Sequence, residues 1–134
     1  MPTPQVQDPP IVLDAAYAER LESLAAGAMR GNHELGDRLM REVARATILP
    51  SGEVPADVVN IGSQVSFRDE VTGRERTVII VLPPDADIAR QRVSVLTPIG
   101  AALIGLKAGA SIGWETRDGE ERRLTVLAVG RAEG

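Results

Sequence analysis

The sequence predicts an α+β protein in which a short antiparallel helical hairpin precedes a β-rich domain. Apolar residues recur at helical spacing up to about residue 48, and from residue 54 onward they follow the two-residue period of strands. A Pro-Ser-Gly run at residues 50–52 separates the two patterns and is typical of a connection. The 134 residues are enough for one modest domain with an appendage.

The composition is that of an ordinary globular protein with an aliphatic core. Hydrophobic residues make up 43% of the chain and charged residues 25%, while the aromatic residues are only Tyr17, Phe67 and Trp114. A net charge of −4 argues against tight non-specific binding to nucleic acid. No apolar run approaches the roughly 20 residues that span a bilayer, and the N-terminus lacks a signal-peptide pattern. We therefore expect a cytoplasmic protein that does not contact membranes.

The N-terminal part divides into a tail, residues 1–12, and a hairpin, residues 13–49. The first ten residues include four prolines and no periodic apolar pattern, which indicates an extended segment. Asp14 is a candidate cap for the first helix, and Asn32 is one for the second, after a break with two glycines. The predicted apolar stripes are Tyr17, Leu21, Leu24 and Ala28, then Leu35, Leu39, Val43 and Ala46.

Charged residues of the second helix are expected outside its apolar stripe, namely Arg38, Arg41, Glu42 and Arg45. Each helix has about 15 residues and so spans about 22 Å. Stripes this rich in alanine cannot stabilise an isolated hairpin, so it must pack on the C-terminal domain, on a second copy or on a partner.

Residues 50–134 are expected to form a mostly antiparallel sheet with one short helix. The predicted strands cover residues 64–68, 76–82, 93–95, 111–116 and 122–129, with residues 130–134 as a frayed end. Turn signals lie at residues 71–74 and at the Asp118-Gly119 pair. Thr97 can cap the helix, Pro98 suits its first position, and the expected apolar face is Ile99, Ala102, Leu103 and Leu106.

The stretch at residues 93–109, VSVLTPIGAALIGLKAG, resembles the C-terminal domain of the bacterial Gre transcript-cleavage factors. The resemblance rests on the Thr-Pro pair, the following Leu-Ile-Gly-Leu-Lys and the glycine before the next strand. It continues at residues 111–115, 117–120 and 124–127, and upstream at residues 55–59 and 65–69. With its length and short N-terminal segment, the whole chain is more similar to the Rnk family, the regulators of nucleoside diphosphate kinase. The resemblance implies an FKBP-like fold for residues 50–134.

The Gre resemblance also implies a binding surface at Leu96, Thr97 and Pro98. In Gre factors the loop at this position helps the domain grip the rim of the RNA polymerase secondary channel. Two residues depart from the Gre pattern, because Leu96 stands where a polar or acidic residue is usual and Ala110 replaces an aspartate. The implied partner is RNA polymerase, and the family name adds nucleoside diphosphate kinase as a second one.

The predicted hairpin tip carries His33, Glu34 and Asp37. Gre factors hold acidic residues at the tip of a longer hairpin, and those residues help the polymerase cleave its transcript. Carboxylates here could bind Mg²⁺. The alternative, which we favour, is that they complement the helix dipole at the start of the second helix. The short hairpin favours the dipole interpretation and predicts polymerase binding without cleavage.

No catalytic set or cofactor motif is present in the sequence. A single histidine and no cysteine argue against a Ser-His triad, disulfides or a Cys/His metal site, and no phosphate-binding glycine loop occurs. Prolyl isomerase activity, which an FKBP-like fold raises, would need an aromatic-lined pocket that two domain aromatics do not supply. We predict a non-enzymatic polymerase-binding regulator. The alternatives are direct control of nucleoside diphosphate kinase and a Gre-like cleavage accessory.

Overall fold

The structure, a computed structural model, describes residues 9–115 and 121–131 and confirms the α+β class. In chain order the elements are β1 (Val12–Asp14), α1 (Ala15–Ala28), α2 (His33–Arg45), β2 (Thr47–Leu49), β3 (Ser63–Asp69), β4 (Glu75–Val81), β5 (Arg92–Ser94), α3 (Pro98–Leu103), β6 (Ser111–Glu115) and β7 (Glu121–Arg131). Two short 3-10 turns, Pro83–Asp85 and Ile88–Arg90, connect β4 to β5. The first eight residues of the predicted tail, the Asp118-Gly119 turn and residues 132–134 lie outside the described residues.

The predicted helical hairpin is present, and both of its predicted caps are confirmed. The Asp14 carboxylate accepts a hydrogen bond from the Ala16 amide at 2.8 Å, and the Asn32 side chain accepts one from the Leu35 amide at 3.2 Å. Gly36 lets the helices approach closely, because a Cβ there would lie 2.6 Å from the backbone nitrogen of Met29. The break between the helices thus folds back on α2.

A small parallel sheet at the base of the hairpin was not indicated by the sequence pattern. β1 pairs with β2, and on its other side the Val12 amide donates to the Gly105 carbonyl at 3.0 Å. Ile11 is buried in the core. Residues 11 and 12, which the sequence analysis assigned to the extended tail, therefore belong to the folded part of the chain. Pairing of two three-residue strands depends on the hairpin that brings them together, which periodicity cannot reveal.

The C-terminal part is a five-stranded sheet in the order β5-β4-β3-β7-β6. Its pairs are antiparallel except β4 with β5, which run parallel. Val65 and Phe67 face the core, as the alternation predicted. β7 runs to Arg131, so Gly130 belongs to the strand and not to a frayed end.

One hydrophobic core joins the hairpin to the sheet. It includes Leu21, Ala25 and Leu39 of the helices together with sheet residues such as Phe67 and Ile80. The hairpin therefore packs on the C-terminal part of its own chain, which was one of the three expected ways to cover its apolar stripe.

The last residue of β3, Asp69, carries a carboxylate whose ionisation stabilises the fold. Partial removal from water would raise the pKa of Asp69. The amides of Val71 and Thr72 donate to the carboxylate at 2.8 and 3.3 Å, and Arg122 at 3.0 Å; together they hold its pKa below the ordinary value. A carboxyl with a lowered folded-state pKa stabilises the fold above its unfolded pKa.

We expect Asp69→Asn to lower the free energy of unfolding at neutral pH. The difference from wild type should shrink as the pH falls from the ordinary aspartate pKa of about 3.9 toward the lowered pKa of the folded state, because the unfolded chain binds a proton in this interval that the native carboxylate does not. Urea unfolding followed by circular dichroism between neutral pH and about pH 2.5 measures this difference. A difference that stays constant across that range would contradict the assigned role of the charge.

Candidate functional site

The loop before α3 has the geometry that its Thr-Pro pair predicted. The Thr97 hydroxyl accepts a hydrogen bond from the Gly100 amide at 3.0 Å and donates one to the Ser94 carbonyl at 2.8 Å. Pro98 occupies the first turn of α3. Gly100 is required for this approach, since a Cβ there would lie only 2.2 Å from the Ser94 oxygen. The loop is therefore held rigidly against the end of β5.

The three residues predicted for the binding surface have different environments. Leu96 is half-buried and packs against the core. Thr97 is also half-buried, and its side chain makes the capping hydrogen bond. Pro98 is exposed. A partner that contacts this loop would therefore meet Pro98 directly, while Leu96 and Thr97 determine the shape of the loop.

The predicted tip residues all lie at the beginning of α2. His33 and Glu34 are exposed, and the carboxylate of Asp37 forms an ion pair with Arg41 at 3.1 Å. Glu34 lies in the first turn of α2, where a carboxylate complements the helix dipole. Within residues 9–115 and 121–131, no group of three or more histidine, cysteine or acidic residues could hold a metal ion.

The reach of the hairpin is limited by its helix lengths. α1 has 14 residues and α2 has 13, so the two helices span about 21 Å and about 20 Å.

In the described part of the chain no helix is both long and apolar enough to cross a membrane.

An ion cluster centred on Glu42 corrects one part of the expectation that the charges of α2 lie outside its packed face, because Glu42 is buried whereas Arg41 and Arg45 are exposed as expected. The side chain of Glu42 is only 3% exposed. Its carboxylate lies 2.6 Å from Arg45 Nη2 and 3.5 Å from Arg38 Nε. The arginines are spaced four residues before and three residues after the glutamate. This spacing was a signal for ion pairing in the sequence, although burial could not be inferred from it.

The same two arginines attach α2 to other parts of the molecule. Arg38 Nη2 donates to the Gly113 carbonyl of β6 at 3.1 Å, and Arg45 Nη1 donates to the Pro9 carbonyl. At the other end of the hairpin base, Asn60 Nδ2 donates to the Asp14 carboxylate at 3.2 Å. These bonds fix the direction of the hairpin relative to the sheet, and sequence reasoning missed all of them.

Two family models cover nearly all of the described chain. One, described as "Transcription elongation factor, GreA/GreB, C-term", matches residues 54–131, and the other, described as "Rnk N-terminus", matches residues 9–49. The domain around the α3 loop is therefore of the GreA/GreB C-terminal class.

Individual relatives agree with both matches. The chain is 35% identical over 121 residues to the "Regulator of nucleoside diphosphate kinase" of Escherichia coli (strain K12), covering 90% of this chain and 89% of that protein. It is 40% identical over 78 residues to transcription elongation factor GreA of Rickettsia felis, covering 58% of this chain and 48% of GreA. The chain belongs to the Rnk family, in which an Rnk N-terminal segment precedes a GreA/GreB-type C-terminal domain.

A solved structure has the same fold over most of the chain. The prokaryotic transcription elongation factor GreA/GreB from Nitrosomonas europaea is 34% identical, and the match covers 90% of this chain and 98% of that one with a TM-score of 0.70. The relatives are named as regulators or transcription factors.

Proposed function

We propose that the protein is a non-enzymatic, cytoplasmic transcription regulator that binds RNA polymerase near its secondary channel. It competes there with Gre cleavage factors and does not stimulate cleavage itself. The observation that carries this proposal is a GreA/GreB-type domain with a rigid α3 loop, joined to a hairpin of only about 21 Å. Residues 50–134 would supply the binding domain, and residues 13–49 would enter the channel only partway.

The α3 loop supports a docking role because its shape is fixed before a partner arrives. Thr97 and Gly100 hold the backbone with a side-chain cap and a close contact, so binding would cost little ordering entropy. Pro98 is the exposed residue of the predicted set and would contact the channel rim.

The hairpin tip supports binding without cleavage. Catalysis by a delivered carboxylate requires the group to lie within ligand distance of the active-site metal. A hairpin of two short helices would hold Glu34 and Asp37 away from that metal, and Asp37 is already paired with Arg41.

Cleavage assays on stalled elongation complexes test the proposal. The wild-type protein should inhibit Gre-stimulated cleavage and produce no cleavage alone. Pro98→Glu should weaken this inhibition by about tenfold, because a charge would be placed in the contact. A carboxylate at the first helical position suits the helix dipole, so α3 should persist. Pro50→Glu, a change at an exposed proline at the base of the hairpin, is the matched control and should inhibit like wild type.

Variants of the hairpin tip distinguish the proposed function from the alternative of a Gre-like cleavage accessory. Glu34→Ala combined with Asp37→Ala should leave the inhibition intact, since neither residue belongs to the proposed contact. Strong cleavage by the wild-type protein, lost in this double variant, would replace the proposal by a Gre-like cleavage accessory. Failure of the wild-type protein to bind polymerase at all would also overturn it.

Direct control of nucleoside diphosphate kinase is a second candidate, because the Escherichia coli relative carries that name. If the control is direct, adding this protein to purified nucleoside diphosphate kinase should change the catalytic rate of the kinase. An unchanged rate, with kinase levels altered only in cells, would place the control at gene expression.

A further inference from the structure

The helical hairpin carries an open, mainly apolar groove between its two helices, and Met40 and Val43 of its lining also pack against the core. The groove has a volume of about 380 Å³. Its lining residues come from both helices and from β2, and they are Ala15, Ala18, Glu19, Glu22, Met40, Val43, Ala44 and Ile48. Ile48 is one of the large apolar side chains that remain exposed. An apolar depression with a polar rim is typical of an interaction site.

The floor of the groove is shaped to receive side chains from outside. Ala15, Ala18 and Ala44 are small and leave space between the two helices. Met40, with its flexible side chain, can adapt to different apolar partners. A groove between two antiparallel helices is the form of surface into which a third helix packs.

The rim of the groove carries two acidic side chains. Glu19 and Glu22 are three residues apart on α1, so they lie on one face of the helix. Neither forms an ion pair within the described part of the chain, and both are exposed. Arg41 and Arg45 on α2 are already paired with other carboxylates. The carboxylates of Glu19 and Glu22 can therefore form ion pairs with cationic side chains of a binding partner.

We propose that the groove is a docking site for an amphipathic helix of another protein. The helix would place apolar side chains over the alanines and a lysine or arginine against Glu19 and Glu22. This site is separate from the α3 loop, so it adds a second binding surface to the one proposed above. The residues that α1 contributes to the groove lining extend over about two helical turns. The docked helix should therefore contact the groove over two to three turns.

Two synthetic peptides test this proposal on the full chain. Both are fluorescein-labelled amphipathic helices with leucine at every third or fourth position, and their flanks carry lysine in one and glutamate in the other. Fluorescence anisotropy should show binding of the lysine peptide, with at least about tenfold weaker binding of the glutamate peptide. Polymerase is absent, so this result is independent of the cleavage assays.

Matched variants separate the groove from general charge attraction. Glu19→Lys with Glu22→Lys should weaken lysine-peptide binding by at least about tenfold. Glu53→Lys with Asp85→Lys changes the net charge equally at exposed positions outside the groove lining and should leave binding unchanged. Ala44→Trp fills the groove without changing charge and should also prevent binding. Circular dichroism checks that every variant is folded.

Three outcomes would overturn the proposal. Equal losses of lysine-peptide binding in the groove variant and in the control charge-reversal variant would show non-specific electrostatic attraction. Absence of lysine-peptide binding up to about 1 mM would show that the groove is not a docking site. A dimer of the wild-type protein that Ala44→Trp dissociates would show that a second copy occupies the groove.

Discussion

Leu103→Ala should lower the free energy of unfolding by about 2–5 kcal/mol, the range for removing a leucine side chain from a packed core. Leu103 is completely buried in α3, in the core that joins the sheet to the hairpin. The substitution removes apolar contacts and leaves a cavity that the surrounding elements can fill only partly. Because α3 has six residues and cannot be stable alone, loss of this contact should also loosen the binding loop.

Urea unfolding of the wild type and the variant measures the effect as a shift in midpoint at constant slope. Ile88→Ala is the matched control, since Ile88 is 80% exposed and its truncation should change stability by less than about 0.5 kcal/mol. Equal midpoints for Leu103→Ala and the wild type would show that α3 does not hold the core together.

Glu42→Ala should lower the free energy of unfolding by about 2–3 kcal/mol, because it leaves two partly buried arginines without their shared anion. The loss should be smaller than for a fully buried pair, since the side chains of Arg38 and Arg45 are 20% and 28% exposed. The arginines also donate to Gly113 and Pro9, so the variant should weaken the attachment of α2 to the sheet and to the N-terminal segment.

Asp37→Ala removes an ion pair from the same helix and is the natural comparison. Its side chain and that of Arg41 are 48% and 66% exposed, so its loss should cost less than about 1 kcal/mol. Thermal or urea unfolding of both variants gives the contrast. A Glu42→Ala variant as stable as Asp37→Ala would mean that burial does not strengthen the cluster.

Much of the fold follows from local chemistry that the sequence carries by itself. Asp14, Asn32 and Thr97 cap their helices as predicted, because a side-chain oxygen at the first non-helical position satisfies free amides wherever the helix lies. The switch of apolar period separates the hairpin from the sheet for the same reason, since side-chain direction depends only on the local backbone. The family resemblance was likewise visible in the order of short motifs.

Contacts between distant parts of the chain were decided only by the tertiary structure. The β1–β2 pair and the bond from Arg38 to Gly113 join segments that are far apart in sequence. Glu42 pairs with arginines of its own helix, but its burial depends on the other elements that cover α2. In the candidate binding loop, packing alone decides that Leu96 turns toward the core while Pro98 faces outward. The groove also belongs to this group, because its walls come from two helices and from β2, and only the tertiary structure brings them together. Periodicity describes one element at a time, whereas burial depends on which other elements cover it.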